Sequence, residues 1–352
     1  MRSRQYDLNS LTMKNPVRNE AARLLLYYFN ATKGLAFFVA ELEVAMLLQL
    51  LLLAVGFFLL VKGADYFVEG AAAIADKFGI PQLVIGLTIV AMGTSAPEAA
   101  VSITAALKGN AEITIGNVVG SNIFNVLLIL GITACIVSIS VAASTVRVEL
   151  PFMIGVTLLL LALGITGNAI NLFEGIILLI CFVGYLAYLF AMAMKDRKDT
   201  EEKKDDRPLW KLIFFSAAGL FLIVLGSDVT VDAAVKIAGF LGISERIIGL
   251  TIVAMGTSLP ELVTSVSAAR KGKADIAIGN IVGSNIFNVL FIVGITAVIT
   301  PVTFVPAFIP DTIIAAVAGG LLFACVFRRK KLTRAGGILL LFGYAGYFFY
   351  LL

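Results

Sequence analysis

Residues Ile89–Ala100 read IVAMGTSAPEAA: inside an apolar run, Gly, Thr, Ser, Pro and Glu stand side by side. Pro97 has no N–H, and its ring would clash with the carbonyl of Gly93, so a helix through this stretch has to break there. The break predicts free carbonyls around Ala91 to Thr94, close approach at Gly93, and a helix that restarts at Glu98. Breaks at membrane depth persist only where protein buries them or where they line a wet cavity. Ser95 and Glu98 also fit an S-x-x-E capping box, which alone would do no more than restart a kinked helix.

The surroundings are membrane. Of 352 residues, 60% are hydrophobic and 14% charged, with mean hydropathy +0.99. A spanning helix takes roughly 20 apolar residues, and from Met46 onward about ten such blocks follow one another. The spans are expected near 46–68, 83–107, 112–137, 149–166, 172–194, 212–236, 246–269, 275–300, 308–327 and 336–352. The net charge of +4 points to no nucleic-acid partner. Cys135, Cys181 and Cys325 all lie in apolar blocks and support neither a disulfide framework nor a zinc site. There is no histidine, which removes histidine acid–base chemistry, haem ligation and histidine proton relays.

The stretch occurs twice. VIGLTIVAMGTSAPE (Val84–Glu98) returns as IIGLTIVAMGTSLPE (Ile247–Glu261), and GNVVGSNIFNVLLILGITA (Gly116–Ala134) as GNIVGSNIFNVLFIVGITA (Gly279–Ala297). Both pairs share one offset, 261 − 98 = 163 and 279 − 116 = 163. Gly63 and Asp65 recur as Gly226 and Asp228, and Lys108-Gly109 as Lys271-Gly272. The chain is a duplicated unit of about five spans, and an odd number turns the second copy over in the membrane. The expected organisation is an N-terminal extension 1–45, a first repeat 46–194, a charged loop 195–211 and a second repeat 212–352. With ten spans, that loop, the one holding Arg270, Lys271 and Lys273, and RRKKLTR (Arg328–Arg334) fall on one side, the cytoplasmic side by the positive-inside rule. For 1–45, a peripheral amphipathic helix competes with a start of translation at Met46.

Two glutamates inside the membrane, each costing at least about 2.5 kcal/mol to bury, point to a site rather than to two kinks. Asn117, Ser121 and Asn125 are spaced i, i+4, i+8 and form one polar stripe, repeated by Asn280, Ser284 and Asn288. The glycines of the GxxxG steps, Gly116 with Gly120 and Gly279 with Gly283, are read as packing. Asp65, Glu69, Asp228 and Asp232 are read as hydrated positions near span ends. Carboxylate, amide, hydroxyl and carbonyl oxygens with no nitrogen or sulfur suit hard cations such as Ca²⁺ or Na⁺.

The doubled GTSAPE/GTSLPE and GNVVGSNIFN/GNIVGSNIFN resemble the two repeats of the cation/Ca²⁺ antiporter superfamily, specifically prokaryotic sodium/calcium exchangers, over Met46–Leu352. The resemblance implies an all-α polytopic membrane protein of about ten transmembrane helices in two inverted five-helix repeats, with broken helices at the midplane. It implies Glu98 and Glu261 as shared Ca²⁺/Na⁺ ligands. It adds hydroxyl or carbonyl oxygens of Thr94, Ser95, Thr257 and Ser258, carbonyls of Ala91 and Ala254, hydroxyls of Ser121 and Ser284, and amides of Asn125 and Asn288. Asn288 stands where some relatives, including the potassium-dependent branch, carry Asp, which argues against K⁺ co-transport. The expectation is a Ca²⁺/Na⁺ antiporter of the prokaryotic plasma membrane, a monomer in lipid, with no cofactor and no enzymatic activity. A Ca²⁺/H⁺ antiporter using the same glutamates is the nearest rival. An intramembrane hydrolase at Ser95 or Ser258 lacks a histidine base, a GxSxG elbow and a neighbouring lysine, and a passive channel would tolerate Glu98→Gln.

Overall fold

The computed structural model describes residues 16–195, 207–242 and 254–351, with side chains from 44 onward and Ala254 as backbone only. The expectations for 1–45 and for most of loop 195–211 lie outside the described residues. The chain divides into two units, 1–51 and 52–352, and the second holds both copies of the repeated motif.

The first helix is Pro16–Phe78, and its apolar, membrane-length part is α1 (Val44–Phe78). The helices α2 (Gln82–Thr94), α3 (Ala96–Leu107), α4 (Glu112–Ile136), α5 (Thr145–Gly167), α6 (Leu172–Lys195) and α7 (Leu209–Phe240) follow. The rest are α8 (Ala254–Gly256), α9 (Leu259–Arg270), α10 (Ala274–Ile299), α11 (Phe308–Phe327) and α12 (Arg334–Leu351). Among the described residues eight helices are long and apolar enough to cross a membrane, or nine if the bent pair α2–α3 is one span. Of the span expected at 246–269, residues 246–253 lie outside the described residues, and the rest holds α8 and α9.

Apolar runs locate the membrane portion of a helix but not its ends. Helices α1 and α7, expected at 46–68 and 212–236, are 35 and 32 residues long. Their charged tails, with Asp65, Glu69 and Asp76 on α1, stay helical because carboxylates and lysines are no obstacle to a helix once it leaves lipid. Within the second unit the two helices run antiparallel and touch through small residues. A Cβ on Gly63 would come 2.8 Å from the Gly219 carbonyl, and one on Gly226 would come 2.9 Å from the Gly56 carbonyl. Backbones approach that closely only through glycine.

Helices α4 and α10 are buried along most of their length and form the centre. Their apolar side chains, among them Ile115, Val118, Ile123, Ile278, Ile281 and Ile286, share one hydrophobic core with α5, α6 and α11. Gly279 and Gly283 let α10 lie against α2: a Cβ on Gly283 would sit 2.7 Å from the Leu87 carbonyl and 2.8 Å from the Ala91 Cβ. Both central helices loosen to π-helix at matching places, Phe124–Ile129 and Asn288–Val293. A π turn holds one extra residue, so it re-aims the side chains at its start, here Asn125 and Asn288. Two short antiparallel clasps tie the halves together: β1 (Ile139–Ser140) pairs with β4 (Lys331–Leu332), and β2 (Ala169–Ile170) with β3 (Val302–Thr303).

Candidate ion-binding site

The break lies at Ser95, two residues before Pro97, where α2 and α3 meet at 48°. Pro97 sits in the first turn of α3, where its missing N–H is one the helix would leave unbonded anyway. This placement corrects the sequence expectation: Ser95 N still donates to the Ala91 carbonyl at 3.0 Å, so that carbonyl is not freed by the break. Its second lone pair faces hydroxyls instead, with Ser284 Oγ at 3.3 Å and Thr94 Oγ1 at 3.4 Å. In the second half the carbonyl of Gly256, four residues before Pro260, accepts from Ser227 Oγ of α7 at 2.8 Å.

Ser95 (φ −83°, ψ 8°) and Ser258 (φ −93°, ψ 4°) hold the same bridge-region backbone, and neither hydroxyl caps its own helix. The capping box is not formed. With proline in the first turn, one of the N–H groups a cap would satisfy does not exist. The hydroxyls reach across instead: Ser95 Oγ donates to Glu261 Oε1 at 2.7 Å, and Ser258 Oγ to Glu98 Oε1 at 3.2 Å. Each serine of one half therefore serves the carboxylate of the other. Glu98 and Glu261 occupy the first turns of α3 and α9, where the helix dipole favours negative charge, and each is 1% exposed.

The central helices supply the walls. Ser284 Oγ is 3.4 Å from Glu261 Oε1, and Ser121 Oγ is 3.3 Å from Ser258 Oγ. Thr94 Oγ1 donates to Asn280 Oδ1 at 3.0 Å. Thr257 differs from its mate: Thr94 is fully buried and Thr257 is not.

Asn117 and Asn280, read from sequence as part of a polar stripe, brace the broken helices. Asn117 Nδ2 donates to the Glu98 carbonyl (3.1 Å) and Ser102 Oγ (3.0 Å), and Asn280 Nδ2 to the Glu261 carbonyl (3.3 Å) and Ser265 Oγ (3.0 Å). Ser102, Ser265, Asn122 and Asn285 went unremarked in the sequence. The signal was there, since all four recur at the same offset. Asn122 and Asn285 form the contact between the central helices. Asn122 Nδ2 donates to the Asn285 carbonyl (3.2 Å) and Asn285 Nδ2 to the Asn122 carbonyl (3.1 Å). Their own Oδ1 atoms accept from Asn288 Nδ2 (3.1 Å) and Asn125 Nδ2 (3.0 Å).

Once these bonds are counted, certain buried oxygens have no donor among the described residues: Glu98 Oε2, Glu261 Oε2, Asn125 Oδ1, Asn288 Oδ1 and Thr257 Oγ1. Polar atoms left so in a protein interior cost free energy unless something else satisfies them. Among the described residues no three His, Cys, Asp or Glu side chains gather as a metal cluster. The donor set is thus two carboxylates with neutral oxygens, the pattern for a hard cation that comes and goes.

Residues 48–191 and 211–352 match the family described as sodium/calcium exchanger protein. The chain is 40% identical over 313 residues to the putative antiporter CaxA of Alkalimonas amylolytica, covering 86% of this chain and 98% of that one. It is 34% identical to the sodium/calcium exchanger MaX1 of Methanosarcina acetivorans, over 72% of this chain and 83% of that one. Among solved structures it is similar to the sodium-calcium exchanger NCX_Mj soaked with zero Na⁺ and Ca²⁺, with TM-score 0.76, 30% identity, and coverage of 87% of this chain and all of that one.

Proposed function

The chain belongs to the sodium/calcium exchanger family, and from that membership and the crossed serine–glutamate geometry we propose that it exchanges Ca²⁺ for Na⁺ by alternating access. The family is one of multi-pass membrane transporters, not enzymes. The observation that carries the proposal is the set of buried oxygens left without donors, among the described residues, in a cluster where Ser95, Ser258 and four asparagines bond across the two halves.

Glu98 and Glu261 are the charged ligands. Ser95, Ser258, Ser121, Ser284, Thr94 and Thr257 contribute hydroxyls, Ala91 and Ala254 carbonyls, and Asn125 and Asn288 amide oxygens. Two ionised glutamates make the pocket −2, which one Ca²⁺ neutralises; Ca²⁺ takes 6–8 oxygens at about 2.3–2.6 Å. Two Na⁺ neutralise the same charge but need the same oxygens, so the ions compete. An unneutralised −2 pocket in low dielectric is too costly to occlude, so only a loaded carrier switches, and transport is obligate exchange. A third Na⁺ on neutral ligands makes each cycle electrogenic.

The architecture we propose has ten spans in two inverted repeats, 46–194 and 212–352, joined by a cytoplasmic loop 195–211 and functioning as a monomer. The crossed hydrogen bonds at offset 163, the antiparallel pairing of α1 with α7 and the two clasps between halves support it. By the positive-inside rule, the basic loops support a cytoplasmic position for the Lys271 end.

The test is ⁴⁵Ca²⁺ uptake into proteoliposomes driven by an outward Na⁺ gradient or by a pH gradient. Uptake driven by Na⁺ alone is expected. Uptake driven by the pH gradient alone would make the protein a Ca²⁺/H⁺ antiporter on the same two glutamates.

A further inference from the structure

An amide side chain has two chemically opposite ends of nearly equal shape: Oδ1 attracts a cation and Nδ2 repels it. Whether Asn125 and Asn288 help or hinder a cation therefore depends on what holds each amide in one orientation. That holder is on the opposite helix. Asn125 Nδ2 donates to Asn285 Oδ1, and Asn288 Nδ2 donates to Asn122 Oδ1. These acceptors are themselves oriented, because Asn122 and Asn285 each direct Nδ2 at the other's backbone carbonyl.

The four amides form one closed arrangement in which every Nδ2 has an acceptor. The amide oxygens left over are Asn125 Oδ1 and Asn288 Oδ1. All four residues are at most 4% exposed, so water cannot substitute for a lost partner. Turning Asn122 or Asn285 over sets N–H against N–H and oxygen against oxygen, and turning Asn125 or Asn288 over sets oxygen against oxygen, so either change breaks the pattern.

We infer that Asn122 and Asn285 are positioning residues that hold Asn288 and Asn125, each on the other central helix, with the amide oxygen rather than the amide nitrogen turned to the transported cation. This rests on the reading of Asn125 and Asn288 as ion ligands. Because each holder belongs to the opposite half, the ligand geometry exists only while α4 and α10 stay locked together.

The test measures the Ca²⁺ concentration for half-maximal binding by titration calorimetry on purified protein. Asn122→Ala is expected to raise it by about 10- to 100-fold, the usual effect of losing a residue that orients a metal ligand. Adding Asn288→Asp in that background is expected to recover most of the loss, because a carboxylate presents oxygen in either orientation. Asn288→Asp in the wild-type background gives the baseline for its added charge: a positioning role is shown by a larger gain in the Asn122→Ala background than in the wild type, whereas a merely structural role gives equal gains. The inference is overturned if Asn122→Ala binds Ca²⁺ like the wild type, or if Asn288→Asp raises its affinity no more than it raises that of the wild type. Should Asn122→Ala fail to fold, Asn285→Ala with and without Asn125→Asp gives the same comparison from the other half. Glu261→Gln, run alongside, tells the two readings apart: unchanged binding there would sink the site itself, whereas lost binding there with a neutral Asn122→Ala would sink only the positioning role.

Discussion

Glu98 and Glu261 are each tied by one oxygen to a serine of the other half and keep the second oxygen unbonded. Glu261→Gln leaves a single negative charge facing a divalent cation in a buried site. Breaking a buried charge pair costs about 3–5 kcal/mol, so Ca²⁺ exchange is expected to fall by at least two orders of magnitude in the flux assay. Glu98→Gln should do the same, and retention of Ca²⁺ flux by either variant would argue for a channel. Ser95→Ala removes the 2.7 Å donor to Glu261 and leaves a buried carboxylate oxygen bare. A hydrogen bond to a charged group is worth about 1.5–3 kcal/mol, so its Ca²⁺ affinity is expected to drop about tenfold or more in calorimetry. The glutamates were legible in the sequence because a doubled intramembrane carboxylate has no cheap structural explanation. The role of the serines was not. S-x-x-E describes a local cap, and only folding brings in a partner from another helix.

At the scale of elements, proline announced that α2 must break but not where. The chain stays helical through Thr94 and restarts with Pro97 in its first turn, so the kink falls at Ser95. GxxxG steps were read as packing, and for Gly279 and Gly283 the contact is with α2. Gly283→Ala would press a methyl group to within 2.7 Å of the Leu87 carbonyl, which is backbone and has little room to give. Overpacking of this kind costs about 1–3 kcal/mol, so the variant should unfold several degrees lower in a thermal melt in detergent. Gly343→Ala on α12 meets its nearest neighbour, the Leu127 side chain, at 3.4 Å and should leave the melt unchanged or slightly raised. Equal melting of the two variants would mean that the α2–α10 contact does not limit stability. The π turns at Phe124–Ile129 and Asn288–Val293 had no signature in the hydrophobic pattern, because the residues after Asn125 and Asn288 are apolar on every face and one extra residue leaves no mark on their periodicity.

Across the whole molecule the two halves are alike but not in the same state. Lys271 Nζ lies 3.3 Å from Asp65 Oδ1, and Ser267 Oγ donates to the same oxygen at 2.7 Å. Arg207–Glu69 (2.9 Å) and Lys273–Asp76 (3.8 Å) add to the clasp on that flank of α1. At offset 163 the counterparts of Asp65 and Lys271 are Asp228 and Lys108, which among the described residues form no ion pair. Thr257 is partly exposed where Thr94 is sealed. With the proposed orientation, the ion pairs tie α1 to the second half at the cytoplasmic end. Lys271→Glu should weaken this clasp and raise maleimide labelling of Ser267→Cys from the cytoplasmic side. The gain should be only a few-fold, since a half-exposed ion pair contributes about 0–1 kcal/mol. Unchanged labelling would show that the clasp does not control access.

Sequence by itself determined the membrane class, the duplication, the two acids and the oxygen-only chemistry. These come from composition and from a repeat, which are properties of a string. Tertiary structure alone decided which half serves which: that Ser95 reaches Glu261, that Asn288 donates to Asn122, and that among the described residues Asp65 is paired while Asp228 is not. The physical reason is that identical repeats carry identical local preferences. Only packing against each other, across helices distant in the chain, makes the partner of each group a residue of the other copy and lets two equal halves settle differently.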